Sequence, residues 1–194
     1  MNKIITKNDN EADFYKKSQE NFVRGNRVYI LGPFDKSISA KVIPEFNDLI
    51  DMLAGVKNSE IEIYINSCGG YASELLGLLT CIDIAKSAGI KIKTYNIGYA
   101  YSCGSLLAVV GDERYMYKYA SNLPHLGQVP LFPQTFEQLE RGVKHVNDWF
   151  SSIVDIYLHH TKLSKNKLTK ILSDDCCLLN ATDCLTYGFC DQII

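Results

Sequence analysis

EIEIYINSCGGYASELLGLLTCIDIAKSAGIKIKTYNIG, residues 60–98, decides how the rest of the chain is read. EIEIYIN (60–66) alternates apolar and polar residues, the two-residue period of a strand with one buried face. YASELLGLLTCIDIAKSAG (71–89) is apolar on most of its circumference and stops at Gly89, a helix packed deep in a core. IKIKTYNIG (90–98) alternates again. Strand, helix and strand in this order make a βαβ unit, and hence a mostly parallel sheet in an α/β fold.

The same alternation extends in both directions. Upstream, RVYILG (27–32) reads as a strand and SISAKVIPEFNDLIDMLAG (37–55) as a helix that holds Pro44 in its first turns or kinks there. Downstream, SCGSLLAVVG (102–111) reads as a short apolar helix and ERYMYKYA (113–120) as a strand. LPHLGQVPLFPQ (123–134) carries three of the five prolines and reads as an extended loop. TFEQLERGVKHVNDWFSSIVDIYLHHT (135–161) is one long amphipathic helix, with Phe136, Leu139, Val143, Val146, Phe150, Ile153, Val154 and Tyr157 at spacings of three and four. At ~1.5 Å per residue it extends roughly 40 Å, more than a small domain needs to cover its own core, and is expected to pack on another subunit. SKNKLTKIL (164–172) forms a shorter helix, and NATDCLTYG an Asn180-capped helix stopped at Gly188.

A chain of 194 residues holds one domain with a sizeable core, expected over residues 26–194 behind a polar arm at 1–25. A net charge of −2, with Lys and Arg spread along the chain, is no nucleic-acid footprint. The polar start has no apolar signal segment, and no stretch reaches the ~18 apolar residues of a membrane span. Seven cysteines, an odd number with no zinc-type CxxC pair, read as reduced thiols, mostly core residues, in a cytoplasmic protein with no metal or cofactor.

Three stretches carry chemistry. In YAYSCG (99–104), Ser102 follows a strand and opens a helix between Ala100 and Gly104, a relative of the nucleophile elbow in which small neighbours permit a sharp turn. Taken alone, the same pattern also describes a serine that merely caps a helix. NSCGG (66–70) ends a strand, and its paired glycines can turn backbone N–H groups toward an oxyanion or a phosphate, or simply make a tight turn. His125 lies in the Pro/Gly-bounded loop, apart from His145, His159 and His160 on the long helix. A serine nucleophile needs such a base, and the base an orienting partner, for which Asp174 and Asp175 are the candidates.

The order of these pieces resembles the proteolytic subunit of Clp protease, a serine-peptidase family of the ClpP/crotonase fold, from about Arg27 to Ile194. In that family the corresponding stretches read N-S-P-G-G, A-S-M-G, M-I-H-Q-P and D-x-F-L-S-A. They match here Asn66–Gly70, Tyr101–Gly104, Leu123–Gly127 and the region 174–181. The resemblance implies an α/β fold of repeated ββα units with a protruding long "handle" helix at 135–161. It implies Ser102 as nucleophile, His125 as general base, and the N–H groups of Gly70 and Cys103 as oxyanion hole. It also implies two heptameric rings enclosing a chamber, a peptide or unfolded-protein substrate, and a hexameric unfoldase of the AAA+ type as partner, met by the arm 1–25.

This chain departs from the family pattern at Cys68, which stands for the proline, and at QVPLFPQ, where Pro130 and Pro133 interrupt the substrate-holding strand. Counted without gaps, the acid position falls on Cys176; a one-residue bulge brings Asp175 there, and Asp175 is the expected third member of the triad. Two further readings stay open: a ring subunit that cuts little, and a crotonase-like acyl-CoA enzyme with paired backbone donors.

Overall fold

The computed structural model describes residues 20–127, 135–174 and 177–194. The expected α/β architecture is present, with eight strands and six helices among the described residues. In chain order these are β1 (Phe22–Arg24), β2 (Arg27–Ile30), α1 (Ile43–Leu53), β3 (Glu60–Ser67), α2 (Ala72–Ser87) and β4 (Lys91–Tyr101). Then follow α3 (Cys103–Val109), β5 (Glu113–Met116), β6 (Ser121–Leu123), α4 (Phe136–His160), α5 (Lys165–Leu172), β7 (Leu179–Asn180), α6 (Ala181–Tyr187) and β8 (Gln192–Ile193).

The main sheet runs β1-β2-β3-β4-β5-β8, parallel from β2 onward. One face buries Val28, Ile30, Ile61, Ile63, Ile65 and Ile92 against the helices, each side chain contributing about 1.5–3 kcal/mol by leaving water. The opposite face carries an unbroken row of stacked rings: Phe22, Tyr29, Tyr64, Tyr95 and Tyr115, with centroids 4.6–5.2 Å apart. Stacking between directly opposed positions of five strands resists register slippage, which would throw every ring to the other face. Beside the row, Glu113 accepts from Lys91 and Tyr115, which hold its carboxyl down at about 2.

β4 serves two partners. Its first half pairs with β5 (Lys93–Asn96 against Glu113–Met116), and its end turns to pair with β6 (Tyr99–Tyr101 against Ser121–Leu123). The change of direction comes from a bulge: between Ile65↔Asn96 and Ser67↔Ala100, β3 advances by two residues and β4 by four. Asn66 fills the gap, its Oδ1 accepting the Tyr99 N–H at 3.1 Å. This bulge carries the end of β4, and the residue after it, away from the sheet and over the turn that follows β3.

Several boundaries differ from the sequence reading. The expected strand 113–120 ends at Met116; Ala120 N–H closes a turn on Tyr117 O at 2.9 Å, and β6 follows where a loop was expected to begin. The expected helix 37–55 starts as a π-turn at Ile38–Val42, and Pro44 falls in the first turn of the α-helix proper, where its missing N–H costs nothing. Within the stretch read as an arm, Phe22–Arg24 pair antiparallel with β2 across Gly25–Asn26, with Gly25 at φ +63°. Residues 1–19 of that arm lie outside the described residues.

The long helix matches its expected span, with Thr135 and Gln138 forming a reciprocal capping box at its start. Its C-terminal half buries Ile153 and Tyr157, whereas Phe136 (75%), Leu139 (38%) and Val143 (45%) on the other half stand exposed. The C-terminal helix begins with a second capping box, Asn180 with Asp183, and ends on left-handed Gly188. Among the described residues no helix is long and apolar enough to cross a membrane.

Candidate active site

The turn after β3 is built around Ser67 and two glycines. The Ser67 hydroxyl donates to Gly32 O (2.6 Å) and accepts the Gly69 N–H (3.1 Å). Phe34 N–H donates to Gly69 O at 2.9 Å, and Tyr71 N–H to Phe34 O at 2.7 Å, clamping the turn on both sides. Gly69 (φ +93°) and Gly70 (φ +151°) occupy backbone space that side chains disfavour. Sterics add to this, because a Cβ on Gly70 would stand 2.4 Å from Phe34 O and one on Gly69 2.6 Å from the Cβ of Ser102. Gly69 therefore lets the turn lie directly against the end of β4, and Gly70 lets it lie against the Phe34 backbone.

Ser102 sits at that end with φ +55° and ψ −118°, one of two non-glycine residues with positive φ among those described. A non-glycine residue there stores about 1–3 kcal/mol of strain that its surroundings must hold. The hold is visible: Ser102 N–H donates to Leu123 O of β6 at 2.9 Å, and Ser102 O accepts from Ser105 and Leu106 of α3. Its side chain makes no capping bond to α3, so the hydroxyl is not consumed by the helix it opens.

Ser102, Cys103, Gly70 and His125, four of the five expected site residues, line one cavity of about 490 Å³. His125 arrives because β6 runs parallel to β4, Tyr101 lying opposite Leu123, so that the two chain ends leave the sheet side by side. The next residue, Leu126, ties this loop to the C-terminal end of α5 through its N–H and Leu172 O at 3.4 Å, two residues before Asp174. Asp175 and Cys176 lie outside the described residues.

Cys103 divides its groups. Its N–H belongs to the first turn of α3, which has no carbonyl a turn earlier to receive it. Its thiol is buried and donates to Gly70 O at 3.3 Å, and burial pushes that thiol above its ordinary range despite this bond. A neutral, inward-turned thiol is a poor nucleophile.

Among the other walls, the sequence reading did not single out Tyr71, Ala72, Leu106, Leu126 and Trp149, and it placed Ile153 only on the apolar stripe of the long helix. Trp149 stands four residues before Ile153. The helical period was therefore the available signal, but it does not distinguish a core position from a cavity wall.

The fold and the site together define a class of α/β proteins in which a parallel sheet presents a strained serine, a loop histidine and a glycine turn to one cleft. The comparisons narrow that class: the Clp protease family model matches residues 9–194, and the chain belongs to that family. It is 31% identical over 137 residues to the "ATP-dependent Clp protease proteolytic subunit" of Deinococcus radiodurans. That match covers 70% of this chain and 65% of the relative, so the chain spans just under two thirds of the length of the curated relative.

Proposed function

We propose that this chain is a serine endopeptidase, the proteolytic subunit of an ATP-dependent Clp-type protease. The observation that carries the reading is the single cavity lined by strained Ser102, His125, Gly70 and Cys103 in a chain of this family. His125 takes the Ser102 proton as Oγ attacks the peptide carbonyl carbon. The N–H groups of Gly70 and Cys103 hold the oxygen as it becomes negative, an effect on the order of 10²–10³ in rate for each such donor. When the C–N bond breaks, His125 returns the proton to the leaving amine, and water then releases the acyl group from Ser102 by the same steps in reverse. Asp175 orients the imidazole.

The exposed apolar side chains of Phe136, Leu139 and Val143 support an assembly in which the long helix packs on a second ring. In this reading heptameric rings, in a cytoplasmic tetradecamer, receive short peptides or chains threaded by an AAA+ unfoldase. Cysteine chemistry is disfavoured by the buried Cys103 thiol. A crotonase-like reaction is disfavoured because none of the described cavity-lining residues is a carboxylate.

A fluorophosphonate applied to the assembled protein is expected to add one equivalent, mapped to Ser102 by peptide mass spectrometry. The adduct is lost in Ser102→Ala and kept in Cys103→Ala. An assembled protein that takes no adduct on Ser102 overturns the proposal. Cys176 in the ungapped acid register favours one alternative, a ring subunit of low activity. Robust peptide hydrolysis by the homogeneous protein excludes that alternative.

A further inference from the structure

A polar chain crosses the apolar core and links α4, α3 and β6. The Tyr157 hydroxyl, on α4, donates to Ser105 Oγ at 2.8 Å, and Ser105 Oγ donates onward to Asn122 Oδ1 at 2.6 Å. Tyr157 and Ser105 have no exposed surface, and Asn122 has 2%. Neutral hydrogen bonds of this kind contribute modestly to stability, whereas a buried partner left orphaned is costly. Three apolar side chains could fill the same space without that liability. What the polar chain adds is direction, because each member has one geometry in which donor meets acceptor.

The positions it joins are specific. Ser105 is one turn into α3 from Ser102 and donates its own N–H to Ser102 O at 2.9 Å. Asn122 lies in β6, opposite Ala100 of β4, three residues before His125. The chain therefore cross-braces the element that begins at the serine and the element that ends at the histidine, with Tyr157 anchoring both to α4. Burial raises the Tyr157 hydroxyl well above its ordinary range, so it remains a donor at any working pH.

We propose that Tyr157, Ser105 and Asn122 are positioning residues that set the separation of Ser102 and His125. The proposal rests on the peptidase reading of the cavity. If the brace sets that separation, releasing it moves the serine–histidine pair, and displacements near 1 Å cost about 10²-fold in well-aligned sites.

The test compares wild type, Tyr157→Phe, Ser105→Ala and the double variant as full-length assembled protein. It reads the fluorophosphonate labelling rate of Ser102 across pH, the thermal midpoint, and the His125 titration by side-chain NMR. Tyr157→Phe keeps the ring and removes only the donor. The single variants are expected to label at least about tenfold more slowly, with shifted pH profiles and melting points within a few degrees of wild type. The double variant is expected to be no slower than Ser105→Ala, which already breaks both bonds. Wild-type rates with an unchanged pH profile in Tyr157→Phe, or losses that add in the double variant, overturn the proposal. Should wild type itself not label, the peptidase reading fails separately, and the His125 titration decides: a midpoint moved by Tyr157→Phe upholds the brace, and an unmoved one overturns it.

Discussion

Replacing Gly69 by alanine tests the close approach of the glycine turn to Ser102. Two costs add at that position. The backbone stands at φ +93°, where a side chain costs about 1–2 kcal/mol. The new Cβ would lie 2.6 Å from Ser102 Cβ, 2.8 Å from Tyr101 O and 3.2 Å from Cys103 N, and relieving such crowding costs a further ~1–3 kcal/mol. The atoms it meets are backbone or fixed to it, so no flexible side chain can swing away. Together they amount to about 2–5 kcal/mol, a fall in Tm of roughly 5–20 °C for a domain of this size. Gly55 supplies the control, since it has φ +78° with nothing within 4 Å of a new Cβ, and Gly55→Ala pays only the backbone part. Thermal melts of the two variants under identical conditions isolate the clash, and fluorophosphonate labelling reports whether Ser102 has been displaced. A Gly69→Ala protein that melts within about 2 °C of Gly55→Ala and labels like wild type would refute the reasoning.

Acid should weaken the fold through His160, which burial, then the neighbouring His159, Lys86 and Arg114, hold down at about 4 against an ordinary 6.5. The unfolded chain takes up this proton first, so stability is expected to fall as pH drops from 6.5 to 4 and to level off below. His160→Gln should flatten that part of a Tm-against-pH curve, and an unchanged slope would remove His160 as its cause. Asn180→Ala deletes the side chain that accepts the Asp183 N–H at 3.0 Å and should cost about 1 kcal/mol. Its Tm is expected to drop by about 2–4 °C while Ser102 labelling is kept; a drop beyond 10 °C would mean that Asn180 does more than cap α6.

Elements whose signal is periodic were legible in the sequence: β3, α2, the first half of β4 and the long helix all fall within a few residues of their expected spans. β6 was not, because Ser121 and Asn122 show no apolar alternation and the strand exists only by pairing with β4 on one side and β7 on the other. The bulge at Asn66 was equally hidden, since its cause is a side chain bonded to a backbone 33 residues away. At the site, Ser102, His125 and the glycine pair were readable from their order along the chain. The positive φ of Ser102 was not, because part of what holds it is a bond to the Leu123 carbonyl on β6. Tyr157 was legible as part of an apolar stripe, but its hydroxyl finds a partner 52 positions earlier.

The chain has one tryptophan, and it stands in the wall of the cleft. The molecule therefore carries its own optical label where one would choose to place it. Indole absorbs at longer wavelength than the phenol rings of the 12 tyrosines, so emission excited at the red edge belongs to Trp149 alone. On the proposed peptidase reading, peptide entering beside Ser102 should shift or quench that emission without any attached dye, and a stopped-flow trace of it would time occupancy of the cleft independently of bond cleavage.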